Sequence, residues 1–328
     1  MEHYLQLARY REFNAKLSHK ISDRYGSNIG IRAFENSALA LYDLCFGLLQ
    51  FLSHRPKIGL IRQGTSLPDV VLPHLYRNQT PIFNKKESEN FEQYLSHFDH
   101  EVNFVLWSSE NEVTGEIFYN RDSRLNMHKA ISAKRIFSIE IKSKITQDDL
   151  DILKNSPYTV YVETGNFFDK RPTLIYHTDK LKTDFLIGPY QNNLDYTEDW
   201  IQKYSFDPES KTALDVLSLF KSSQLNYYNR FATQPEVLPD RLVISSKNVS
   251  GLHLKEDLGL SLEQAFAPSE LPIAVLETFP LWWHEAQNRD LIVGLLIVNL
   301  NKTNTTGLID KIEKMHDKLT QESRWSIE

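Results

Sequence analysis

At 328 residues, with 41% hydrophobic and 24% charged side chains, the chain has a globular composition that excludes disordered, collagenous and coiled-coil classes. Its length favours one large domain with a smaller one attached over a single core. Lysine and arginine number 37 against 43 acids, a formal net charge of −6, so nonspecific nucleic-acid binding is disfavoured.

The one cysteine, Cys45, sits in an apolar run at 39–52, so no disulfide forms within the chain and a cytoplasmic, reducing setting is expected. No apolar run has the length of a signal peptide or a spanning helix, and no membrane association is expected.

In chain order, Tyr4, Leu7, Ala8, Phe13 and Leu17 follow helical spacing over 2–22. A turn at 25–30 precedes a second helix, which starts near Asn36 and Ser37, short polar side chains able to accept the free backbone donors of a first turn. That helix is apolar on nearly every side through residue 51, which implies burial on more than one face. Strands are then expected at 57–61, 80–83, 102–107, 136–141 and 158–162, separated by helices near 68–76, 90–98, 124–133 and 147–154. This alternation predicts an α/β fold, a large domain with a mainly parallel sheet flanked by helices. The basic stretch around Lys142 and Lys144 reads as a solvated strand edge.

Two apolar runs, 173–177 and 184–188, joined by a short polar turn, read as a hairpin, and 198–231 reads as helical. After Pro235 and Pro239 the chain starts again with a strand near 241, further strands at 273–276 and 291–299, and a closing helix at 308–319. The expected organisation is a large domain, 1–239, and a small C-terminal α+β domain, 240–328.

No metal site is expected, because the 11 histidines form no His-Glu-x-x-His arrangement and one cysteine cannot build a thiolate zinc site. The glycines at 26 and 30 lack the lysine of a phosphate loop and the spacing of a dinucleotide fingerprint.

This order of elements resembles the fold-type I family of pyridoxal-phosphate enzymes, the class I/II aminotransferases in particular. Asn36-Ser37-Ala38 before the long helix is similar to the family pair whose backbone donors hold the cofactor phosphate. The segments 250–259 and 272–279 resemble the family's glycine-started strand of the small domain and the segment after it. The resemblance implies pyridoxal phosphate as cofactor, a small amino compound as substrate, and a homodimer.

The chemistry it implies needs an amine for the internal aldimine, for which Lys180 or Lys182 stands on the turn after 173–177. It needs a carboxylate against the pyridine nitrogen, for which Glu163 or Glu140 ends a strand. Asn111, in Asn111-Glu112-Val113-Thr114-Gly115, is similar to the asparagine of the family's Asn-Pro-x-Gly loop.

Several positions depart from the family. Residues 62–66 supply no stacking aromatic, 291–297 supply no arginine for a substrate carboxylate, and glutamate stands where the family uses aspartate. Two expectations follow: a divergent aminotransferase-like enzyme acting on an amino compound, or a noncatalytic protein of that fold that serves as a binding or assembly partner.

Overall fold

The computed structural model describes residues 29–34, 36–52, 57–61, 82–85, 90–98, 102–110, 117–165, 172–178, 180–181, 241–246, 273–276 and 294–299, together with 12, 15, 16, 19 and 23. The chain divides into two compact units. The first holds 1–110, 118–166 and 171–208, and the second 111–117, 167–170 and 209–328.

The first unit is built on a seven-stranded sheet. In chain order its strands are β1 (Gly30–Phe34), β2 (Lys57–Leu60), β3 (Ile82–Asn84), β4 (Val102–Ser108), β5 (Phe137–Lys142), β6 (Thr159–Glu163) and β7 (Thr173–His177). Their spatial order is β1-β7-β6-β5-β4-β2-β3. The run from β3 through β6 is parallel, and β7 is antiparallel to both its neighbours, β6 and β1.

Four described helices flank this sheet: α1 (Ser37–Leu52), α2 (Phe91–Ser96), α3 (Arg121–Ala133) and α4 (Gln147–Asn155). Period-2 alternation sorts the strand residues between two faces. On one face Phe104, Leu106, Phe137, Ile139, Ile141, Val160, Val162 and Ile175 pack with Leu41, Leu44, Cys45 and Leu48 of α1. On the other, Val105 and Trp107 pack with Tyr94, Leu95 and Phe98 of the α2 region and with Met127 and Ile131 of α3. Further along that face Leu150, Ile152 and Leu153 of α4 cover Ile31, Ala33, Tyr161, Leu174 and Tyr176.

Local chemistry marks the helix starts. Asn90, Asn120 and Thr146 each accept a backbone N–H of the first turn with a side-chain oxygen, and Asn90 and Thr146 complete reciprocal capping boxes with Gln93 and Asp149. The second unit contains a three-stranded antiparallel sheet in the order β8-β10-β9, with β8 at Arg241–Ser246, β9 at Ile273–Leu276 and β10 at Gly294–Asn299. Thus the strand expected to restart the chain after Pro239 is β8.

Three readings of the sequence change. The run 173–177, expected as one arm of a hairpin, is β7, paired with β1 along one edge and β6 along the other. The strand β1 falls partly on what reads as a turn. Lys142 is not on a solvated edge, being only 8% exposed and ion-paired to Asp149. The expected helices at 68–76, 198–231 and 308–319, and the run 184–188, lie outside the described residues. So does most of the helix expected over 2–22. No helix among the described residues is long and apolar enough to cross a membrane.

Candidate functional site

In open α/β sheets ligands settle at the carboxyl ends of the parallel strands, where strand-to-helix loops diverge. Here that edge carries Ser108, Ser109 and Glu110 after β4, Lys142 and Ser143 at the end of β5, and Glu163, Thr164 and Gly165 after β6. The strand β1 runs parallel to β6 across β7, and Phe34 pairs with Thr173, so Asn36 and Ser37 at the start of α1 belong to the same edge.

Much of the edge is tied to itself. The Glu110 carboxylate accepts the backbone N–H of Ser143, and the Ser108 hydroxyl lies 2.7 Å from the Glu110 carbonyl and 2.9 Å from the Ile141 carbonyl. The Lys142 carbonyl accepts the Thr164 N–H at 2.8 Å and the Thr164 hydroxyl at 3.2 Å. Glu163 is 1% exposed and accepts the Tyr176 hydroxyl at 2.6 Å. The Asn36 side chain accepts the Leu39 N–H at 2.9 Å, capping α1.

Below the edge, between β5 and the helices α3 and α4, lies a buried charge cluster. Its centre is Glu140, fully buried, with both oxygens engaged: Arg124 donates Nε to Oε1 at 2.7 Å and Nη2 to Oε2 at 3.1 Å, and His128 donates Nε2 to Oε2 at 2.7 Å. Arg124 also donates to Asp149, which receives Lys142 Nζ at 3.0 Å and the Thr146 N–H at 2.8 Å. The other ring nitrogen of His128 accepts the Thr159 hydroxyl at 3.2 Å, which fixes the neutral tautomer. Beside it Trp107 donates Nε1 to the Ser138 hydroxyl at 3.0 Å.

The electrostatics follow from burial and pairing. Burial alone would raise the Glu140 and Asp149 carboxyls, but the charges of Arg124 and Lys142 outweigh it and hold both below the usual carboxylate range. Burial pushes His128 below its ordinary value against the pull of Glu140, so the ring is neutral. Burial would likewise lower Arg124, yet Glu140 and Asp149 keep its guanidinium firmly protonated. Tyr161 is raised by burial and by the neighbouring carboxylates, and its hydroxyl has no hydrogen-bond partner among the described residues.

The residues proposed from sequence are not gathered at one point. Asn36, Ser37 and Glu163 share the carboxyl edge, while Glu140 lies within the buried layer. Lys180 is at the other end: His177 pairs with Val160 near the start of β6, and the Thr178 hydroxyl donates to the Pro157 carbonyl at 2.6 Å. Two residues further on, Lys180 is exposed at the amino edge. Lys182 and Asn111 lie outside the described residues, as does Lys170 in the connection 166–171 between β6 and β7. Sequence reading overlooked Arg124, His128 and Asp149. Arg124 and His128 fall four apart on one face of α3, a spacing that could have marked them as partners of one buried acid. No group of three or more histidine, cysteine, aspartate or glutamate side chains that could hold a metal occurs among the described residues.

No family model matches the sequence, and no curated protein does. Solved structures match over most of its length. A NifS-like protein superposes with a TM-score of 0.63 at 14% identity, covering 94% of this chain and 88% of that one. DndA from Streptomyces lividans gives 0.62 at 11%, covering 91% and 90%. An apo cysteine desulfurase from Thermococcus onnurineus NA1 gives 0.63 at 9%, covering 95% and 84%. The chain has the fold of the fold-type I pyridoxal-phosphate enzymes. At such identities the likeness carries the fold and leaves the chemistry to the site.

The fold-type I architecture is typical of pyridoxal-phosphate binders, so its residues here can be tested against that group. The start of α1 offers backbone donors to a phosphate. A ring nitrogen needs a carboxylate oxygen facing it, but Glu140 has both oxygens taken and Glu163 is buried against Tyr176. An aldimine needs an amine at the same edge, and Lys180 is at the opposite one. The described residues therefore do not fit the cofactor.

Proposed function

We propose that this protein is a noncatalytic member of the fold-type I architecture, a binding or assembly partner rather than an aminotransferase-like enzyme acting on an amino compound. The position of Lys180 carries the reading. It is exposed at the amino edge, on the far side of the sheet from Asn36, Ser37 and Glu163. An amine at that edge cannot reach a group held at the carboxyl edge, which removes the nucleophile that aldimine formation requires.

The competing enzymatic reading needs a different lysine, either Lys182 or Lys170. The test is borohydride reduction of the whole protein mixed with pyridoxal phosphate, followed by peptide mass mapping. Labelling should spread over exposed lysines and be unchanged by Lys180→Ala or Lys182→Ala. A single dominant modified peptide carrying Lys182 or Lys170 would restore the aminotransferase reading.

A further inference from the structure

We propose that Glu140 is filled from within: the Arg124 guanidinium and the His128 ring occupy the carboxylate so completely that β5 receives no external ring nitrogen, and the first unit folds without pyridoxal phosphate. This goes beyond the lack of aldimine chemistry, because a cofactor could still be held without a covalent bond.

The argument rests on geometry and charge balance. Arg124 and His128 of α3 donate to Glu140, Asp149 of α4 shares the same guanidinium, Trp107 of β4 and Tyr161 of β6 are its register partners, Thr159 of β6 meets His128, and Lys142 of its own strand pairs with Asp149. The guanidinium meets the carboxylate with two parallel N–H donors, the arrangement by which arginine recognises a planar acid most specifically.

Arg124 and Lys142 balance Glu140 and Asp149 while His128 stays neutral. A protonated pyridine brought to Glu140 would add a second planar cation to a cluster already compensated. To make room, Arg124 would have to leave Glu140 and Asp149 together, abandoning a buried charge with no water to receive it. The guanidinium is thus this protein's own stand-in for the cation that the carboxylate would otherwise bind. It also ties β5 to α3 and α4, a task for which a loose cofactor is unnecessary.

The experiment uses the full chain and pyridoxal phosphate itself. Retention after gel filtration is read by absorbance, and the melting temperature is read with and without the compound, for the parent, Glu140→Gln and Arg124→Lys. The parent should show no melting-temperature shift, and any retained compound should be held equally by Glu140→Gln. Stoichiometric retention by the parent that falls roughly tenfold or more in Glu140→Gln, the loss expected for one charge-assisted contact, would overturn the proposal.

Should Glu140→Gln not fold, nitrogen-15 NMR of ring-labelled pyridoxal phosphate with the parent decides. A ring-nitrogen resonance at the free-compound position supports the proposal, and a protein-bound, protonated one whose proton correlates with a carboxylate refutes it. The two readings fail separately. A single borohydride-labelled lysine sinks the noncatalytic reading, while Glu140-dependent retention sinks this one.

Discussion

Arg124→Met removes the cation that donates directly to Glu140 while keeping most of the side-chain volume. Asp149 still holds Lys142 at 3.0 Å, so the charge left unpaired is Glu140, with only a neutral His128 donating to it. Removing one partner of a buried pair typically costs about 3–5 kcal/mol. The chemistry here also sets a ceiling, since Glu140 can relieve itself by taking a proton. Protonating a carboxyl of ordinary pKa 4.5 at pH 7 requires about 3 kcal/mol, at about 1.4 kcal/mol per unit. The expected loss at pH 7 is therefore about 3 kcal/mol. It should shrink to roughly 1 kcal/mol at pH 5, where the proton is far easier to bind. Urea unfolding followed by circular dichroism at both pH values measures it. The double variant Arg124→Met with Glu140→Leu should regain more than half of the loss, because it removes the orphaned charge instead of exposing it. A deficit under about 1 kcal/mol at pH 7, or one equally large at pH 5, would refute the view of Glu140 as the buried charge that Arg124 compensates.

Two other predictions concern histidines and strand packing. Burial lowers His177 from 6.5 to about 4 and also lowers His128, so the unfolded chain binds protons that the folded one refuses. Stability should be full above pH 6.5 and fall as the pH drops towards 4, by roughly 3 kcal/mol for His177 alone; urea midpoints across that range should show it, with a smaller fall in His177→Gln. In Gly30→Ala the added Cβ would lie 2.2 Å from His177 Cε1, across the β1–β7 pairing, and the expected cost is about 1–3 kcal/mol. That cost should be largely absent when His177 is already alanine, and equal destabilisation in both backgrounds would show that the clash is not its source.

Much of the architecture was legible in the chain because it rests on local signals. Apolar runs of strand length, separated by helical spacing with polar caps at Asn90, Asn120 and Thr146, announce an α/β sheet from residue 57 to 163 without any knowledge of contacts. The place of β7 was not legible. Its residues suit any buried strand, and only the pairing with β1 and β6 decides that both its edges are taken.

The site divides along the same line. Sequence alone located Asn36 and Ser37 at a helix start and Glu140 and Glu163 on strands, since those assignments depend on period and capping. It could not tell that Glu140 faces Arg124, sixteen residues away, or that Asp149 serves both the cap of α4 and the side chains of Arg124 and Lys142. Nor could it tell that the turn bearing Lys180 points to the amino edge. Those facts follow from how strands are ordered and which faces their helices cover, so the same glutamate reads as a free acid in the sequence and as a neutralised, fully buried one in the fold. Periodicity specifies which side of a strand a residue occupies; only the three-dimensional neighbours determine whether a charge there is free to meet a ligand.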